Sequence, residues 1–321
     1  MVTLTARLRP VTGVLLVLAL IVFGAPWSTS QVVSAQNQTL FLSVVDSHGE
    51  PVTDLEPDDL QVRWDGAICE TLDLEPINWP VRVTVFVDNG DGSRNALQHM
   101  REGLRLFVDA IPEEVEVALL TIGSQPRWVI RHTADKEALA RGLDLITPDA
   151  GAAARFMDAL IEEAGRLHDD EDRQYFPVIV MVATDGPEGS TALPRRLEEM
   201  LQRMIENSAT VHARLFSTGR LFHTDVGVRS ENFRGLQVQM GMRVSEATHG
   251  TYEALAASSA FVTTLAELAQ DIARKHTRVS NQYRLTYAPP DGAFDQPSVR
   301  IAISDEYSGV DLFPTLDGNL P

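Results

Sequence analysis

The chain has 321 residues, 44% of them hydrophobic and 22% charged, enough apolar material for a large globular core. Its 27 basic residues against 45 acidic ones give a net charge of −18 at pH 7, which repels phosphate backbones and anionic lipid and argues against nucleic acid as a partner. Basic protein surfaces and divalent cations suit that charge better.

At the N-terminus, Arg7 and Arg9 precede an apolar run from Val11 to Phe23. Pro26, a polar Ser/Gln stretch and the small residues Val33-Ser34-Ala35 follow. This is the layout of a secretory signal peptide over residues 1–35, with an uncleaved N-terminal anchor as the alternative. Cys69 is the only cysteine, so no internal disulfide can form. With Ile68 and Leu72 beside it, a buried structural thiol is expected. Asn37-Gln38-Thr39 matches a glycosylation sequon by pattern alone.

Residues 36–78 read as a small β segment. A strand over 39–45 is followed by the turn Asp46-Ser47-His48-Gly49, then by arms at 60–64 and 68–74 around the hairpin signal Asp65-Gly66. From residue 81 the pattern changes. VRVTVFV (81–87) is a near-continuous apolar run, as expected of a strand buried on both faces. Leu97, Met100, Leu104, Phe107, Val108 and Ile111 recur at three and four, which predicts a helix over 95–111 ended by Pro112. Strands are expected at 115–122 and 127–131. The short turn between them leaves no room for a crossover, so that pair runs antiparallel.

Helices over 135–146, capped by Thr133 or Asp135, and over 153–167 come next. The acidic run Asp169-Asp170-Glu171-Asp172 reads as a solvated loop. PVIVMVA (177–183) is a second buried strand leading into Thr184-Asp185-Gly186. A helix over 194–207, a strand over 210–216, a polar loop to Gly235, a helix over 238–248, a strand over 250–254 and a helix over 259–275 complete this region. Strands return at 282–287, 298–304 and 309–313.

Alternation of strand and helix over residues 79–276 predicts an α/β domain with a doubly wound, mostly parallel sheet. The flanks, 36–78 and 277–321, carry three strands each and are too small to fold alone. Together they would make one small six-stranded β-sandwich into which the α/β domain is inserted.

Several stretches in this order resemble the bacterial proteins described as von Willebrand factor A-related. They are VTDLEPDDLQVRWDG (52–66), a buried strand ending in Asp88, DAL (158–160), TDG (184–186) and QYRLTYAPPDG (282–292). The resemblance covers nearly the whole mature chain and implies a Rossmann-like central domain with one antiparallel edge strand, for which 127–131 is the candidate.

It also implies a metal-ion-dependent adhesion site of the form Asp-x-Ser-x-Ser with a separate Thr and a separate Asp. By position the first Asp is Asp88 and the last is Asp185. The two Ser positions fall on Gly90 and Gly92, and the Thr position on Ala154. Three of five ligating positions thus lack a side-chain oxygen, and any Mg²⁺ or Ca²⁺ is expected to be held weakly. Asp91 and Ser93 lie one residue out of register and are the available substitutes. The alternative is that Asp88 and Asp185 cap the helices that follow, with the glycines serving a tight turn.

Other chemistries find little support. Gly90-x-Gly92 is not continued as a dinucleotide fingerprint, and no phosphate-binding loop, nucleophile elbow or paired Cys/His zinc motif occurs. Asp88 is placed like a phosphoacceptor, but export removes it from the usual kinases. Trp64 and Trp128 are read as packed against their sheets rather than as exposed anchors.

The reading is therefore an exported, non-catalytic binding protein. It recognises another exported or envelope protein at a crevice rimmed by Asp88, Asp91, Ser93 and Asp185, with weak metal dependence or none. Membrane contact is expected only if the leader stays on. The alternatives are a metal-assisted hydrolase using Asp88 and Asp185, and a purely structural envelope scaffold.

Overall fold

The computed structural model describes residues 2–5, 37–170, 172–217, 235–290, 298–316 and 318. Most of the leader, and the polar loop before Gly235, lie outside the described residues. The chain divides into two compact units. One joins the N-terminal region up to Pro76 with Tyr283–Leu316, and the other is formed chiefly by Ile77–Gln282.

In the first unit two four-stranded sheets face each other. One has the order β1 (Val2–Thr5), β13 (Ser298–Ile303), β3 (Leu60–Trp64), β4 (Ala67–Ile68). The other runs β14 (Asp311–Thr315), β2 (Gln38–Val45), β12 (Gln282–Ala288), β5 (Glu70–Ile77). Strand alternation builds the core: Leu40, Leu42 and Val44 of β2 meet Leu60, Val62 and Trp64 of β3, Leu285 of β12 and Ile301 of β13. Trp64 and Tyr287 pack with ring centroids 6.4 Å apart.

The sandwich forms as expected, but with eight strands among the described residues instead of six. The arm read as 68–74 divides at Cys69: Ala67–Ile68 stays with β3, while Glu70–Ile77 crosses to the other sheet. Cys69 is buried at that crossing, as expected, yet its neighbours Ile68 and Leu72 are 63% and 42% exposed. The second addition is β1, an edge strand antiparallel to β13, formed by residues that the sequence reading assigns to the leader. Pro314 sits in β14, which is an edge strand and needs no further donor there.

The second unit holds a six-stranded sheet in the order β11 (Tyr252–Leu255), β10 (Thr210–Phe216), β9 (Phe176–Thr184), β6 (Val81–Val87), β7 (Glu116–Thr121), β8 (Arg127–Thr133). All pairings are parallel except β7 with β8. All nine residues of β9 are buried, as its unbroken apolar run demands. From β6 the chain winds first to one side (β7, β8) and later to the other (β9, β10, β11), so the switch point falls between β6 and β9.

Helices α1 (Leu97–Ala110), α2 (Lys136–Leu145) and α6 (Ala260–Val279) form one layer. Helices α3 (Phe156–Asp169), α4 (Pro194–Glu206) and α5 (Leu236–Ala247) form the other. Asp135 caps α2 by accepting from Ala138 N at 2.9 Å, while Thr133 takes the N–H of Asp135 itself. Helix α3 starts three residues later than its apolar spacing predicts. Ala154 N is drawn to Pro187 O and Arg155 N to Ile122 O, which holds 153–155 in a loop. β8 is bulged against β7 at two places, a common way of blunting an exposed edge.

Candidate functional site

Parallel pairing of β6 with β9 brings Asp88 and Asp185 to the same carboxyl edge of the sheet, at the switch point. Asp88 follows β6, and its backbone N–H donates to Val182 O, which extends the ladder by one step. Its side chain is 1% exposed. One carboxylate oxygen accepts from Gly90 N at 2.8 Å and the other from Thr184 Oγ1 at 3.0 Å. Burial raises the Asp88 pKa, and donation from Gly90 and Thr184 opposes that rise. Asp88 is thus a buried group satisfied from within the protein.

The two glycines at the expected serine positions have a geometric reason. A Cβ on Gly92 would stand 2.9 Å from both Gly186 Cα and Thr184 Oγ1, and one on Gly90 would stand 2.7 Å from Ala152 O. The β6–α1 loop therefore lies directly on the loops 149–154 and 184–187. Asp91 N donates to Ala152 O, Ala154 N to Pro187 O, and Gly189 N to Ala154 O. Where a hydroxyl ligand would open a cavity for an ion, backbone rests on backbone.

The other candidate residues scatter. Ser93 is fully buried and donates to Gly90 O at 2.9 Å. Asp91 is partly exposed and pairs with Arg94 at 2.8 Å. Asp185 accepts from Ser217 Oγ at 2.8 Å, at the end of the neighbouring strand β10. Neither Asp88 nor Asp185 caps a helix: α1 opens at Ala96 and α4 at Leu193, both without a side-chain cap.

Among the described residues no group of three or more His, Cys, Asp or Glu side chains is arranged to hold a metal ion. An octahedral Mg²⁺ needs several oxygens converging at about 2.1 Å. Here the Asp88 oxygens are taken by Thr184 and Gly90, and Asp91 turns to Arg94. The residues as placed do not fit such an ion.

Glu188 matters here and carries no motif that would have marked it. It forms a parallel bridge with Ala154. Its carboxylate accepts from Ser190 N at 2.9 Å and from Phe156 N, so it sits on the first turn of α3. The other oxygen, Oε2, is buried without a hydrogen-bond partner. Burial, first, and the charge of Asp158 push its pKa up to about 7. Asn89 was also missed. Its side chain ties three loops, accepting from Gly123 N at 2.9 Å and donating to Thr147 O at 2.9 Å.

Beneath the edge, on the α3 side, lies a buried polar cluster. Thr84 Oγ1 donates to Glu163 at 3.0 Å and meets His132 Nε2 at 3.0 Å. With its one proton given to Glu163, Thr84 accepts from His132, which fixes the Nε2–H tautomer. Burial and the charges of Arg82, Arg166 and Arg131 lower the His132 pKa to about 3. The guanidiniums of Arg131 and Arg166 lie 4.9 Å and 5.0 Å from the Trp128 ring centroid. Trp128 is packed, as the strand reading expects.

Comparison with known families agrees with this architecture. Residues 84–188 match the family model of the von Willebrand factor type A domain, so the chain carries a domain of that type. Such domains generally take part in protein–protein interactions. No curated protein sequence matches the chain.

Among solved structures, one described as von Willebrand factor type A from Catenulispora acidiphila is 13% identical. It covers 88% of this chain and 73% of its own, with a TM-score of 0.47. The BatB protein from Bacteroides thetaiotaomicron is 14% identical and covers 60% of this chain and 99% of its own, with a TM-score of 0.45. At these values neither bears on activity or partner. Among the described residues no helix is long and apolar enough to cross a membrane.

Proposed function

We propose that this protein is an exported, non-catalytic recognition module that binds another exported or envelope protein from the carboxyl edge of its α/β unit, without a bound cation. The observation that carries the reading is the closure of the β6/β9 mouth: Gly92 rests on Gly186, and Asp88 is satisfied by Thr184 and Gly90. A scaffold of the adhesion type is kept while its ion-binding cavity is filled by its own loops.

Catalysis is unsupported for a related reason. The Ser93 hydroxyl donates to the Gly90 carbonyl, which supports the non-catalytic reading. Export rests on the leader layout of residues 1–35. Cleavage there would remove β1 and leave β13 as a sheet edge.

Calorimetric titration of the full chain with Mg²⁺, Ca²⁺ and Mn²⁺ tests the cation-free part. No saturable heat is expected in the millimolar range. Saturable binding lost in Asp88→Ala would reinstate the metal site. A metal-dependent esterase, phosphatase or protease turnover lost in Asp185→Ala would reinstate the hydrolase reading.

A further inference from the structure

The closed mouth has an open neighbour one strand away. Between the β7–β8 turn and the loop after α2 lies a surface groove of about 470 Å³, entirely within the α/β unit. One wall is apolar, formed by Trp128, Val129, Leu145 and Pro148, with Leu145 69% exposed. Exposed apolar side chains also occur elsewhere among the described residues, such as Leu193; Leu145 differs in lining a groove with Trp128, Val129 and Pro148.

Its charge runs against that of the whole chain. Arg127 lines the groove and Arg131 follows on the same strand; both are exposed and neither forms an ion pair among the described residues. Arg101 donates to Ile146 O at one flank; at the other, Arg155 donates to Ser124 O but is ion-paired with Asp158 at 3.2 Å. The lining carboxylate, Asp149, accepts from Ser124 N at 3.2 Å and Ser124 Oγ at 2.6 Å, and the charge of Arg127 also acts on it. The lining itself holds one guanidinium, Arg127, and one carboxylate, Asp149, and the exposed Arg131 over the Trp128 ring tips the local balance positive, in a protein of net charge −18. In addition β8 is the last strand in its sheet, so no further strand covers its outer edge among the described residues.

We infer that this groove is the partner-binding surface, and that its occupant is a segment of another protein carrying an Asp or Glu side chain next to a large apolar one. Arg127 takes the carboxylate, with the planar, always-charged fork suited to it. Val129 and Leu145, at the rim of the packed Trp128, take the apolar side chain. At physiological ionic strength the Debye length is about 8 Å, so acidic residues far from the groove are screened from the peptide, and the carboxylate it must compete with for Arg127 is Asp149.

This inference rests on the recognition reading above, and its test separates the two. A random dodecapeptide phage library is panned against the full chain, and enriched peptides are measured by fluorescence anisotropy at physiological salt. Enrichment of sequences with an acidic residue beside a Leu, Phe or Trp is expected. Arg127→Glu and Leu145→Glu should each weaken them at least tenfold. Arg195→Glu, an equal change of charge on the exposed face of α4, should leave binding within twofold. Enriched peptides that are basic, or that ignore both groove variants, would overturn the groove and leave the recognition reading standing. No enrichment at all overturns both.

Discussion

The two units of the chain fill their interiors differently. The sandwich core is mostly apolar, built of leucines, valines, Trp64 and tyrosines, among which Tyr283 receives the Leu55 N–H at 3.1 Å, with Ser43 and Thr315 as buried polar residues. The α/β unit buries Thr84, Asp88, Ser93, Glu163, Thr184, His212 and Arg214. Strand geometry explains the contrast. A sandwich strand turns every second residue outward, so polar residues have somewhere to go. The middle strands of a doubly wound sheet are covered on both faces, so any polar residue on them goes inside and must find a partner there. Of these groups Asp88, Ser93 and Thr184 tie the loops together at the carboxyl edge, so the unit with the costlier interior is also the one that shapes the mouth.

The largest test of this contrast removes apolar bulk from each core. Phe86→Ala in the α/β unit should cost about 3–5 kcal/mol and Leu285→Ala in the sandwich about 2–5 kcal/mol. Both side chains are fully buried. Urea unfolding followed by circular dichroism and by tryptophan emission should show each substitution acting first on the transition of its own unit. A single shared transition in both variants would break the distinction between the units.

Glu188 sharpens the comparison through pH. Its folded pKa of about 7 lies above its ordinary value of 4.5, so the native state holds the proton more tightly than the unfolded chain. The stabilisation from this group is full below 4.5 and is lost as pH rises through about 7. Glu188→Gln, which mimics the protonated form, should match the wild type below that window and exceed it above by up to about 3 kcal/mol. His132 and His212 act in the opposite sense. Their folded pKa values of about 3 lie below the ordinary 6.5, so their contribution is complete above 6.5 and declines as pH falls toward 3. Urea midpoints across the acid range, wild type against Glu188→Gln, separate the two. Parallel curves would remove Glu188 from the account.

The smallest effect concerns the mouth itself. Gly92→Ser returns a hydroxyl to one of the expected positions, but its Cβ would press on Gly186 and Thr184 at 2.9 Å. The expected cost is about 1–3 kcal/mol of overpacking. No Mg²⁺-dependent rise in melting temperature should accompany it. A clear metal-dependent stabilisation would show that the loops reopen around an ion.

Much of the architecture was written in local pattern. The apolar runs of β6 and β9, the three-and-four spacing of α1 and the short connection before β8 need only the periodicity of strand and helix, which neighbouring residues encode directly. Asp88 and Asp185 were likewise legible as ends of adjacent strands. The crossing of the chain between sheets at Cys69 was not, because an uninterrupted β pattern reads the same whichever sheet receives it. Nor was the late start of α3, where backbone bonds to Pro187 and Ile122 outweigh helical spacing.

What the sequence determined by itself is thus the order and type of the elements, and the loss of oxygen at positions 90, 92 and 154. Only the tertiary structure decided what became of those positions. Whether missing ligands leave a hole or a contact depends on how closely distant loops approach, and here Gly92 meets Gly186 across 93 intervening residues. Glu188 gained its role the same way, by reaching the first turn of a helix that begins more than thirty residues before it. Such meetings are set by packing of the whole sheet and leave no periodic trace in the chain.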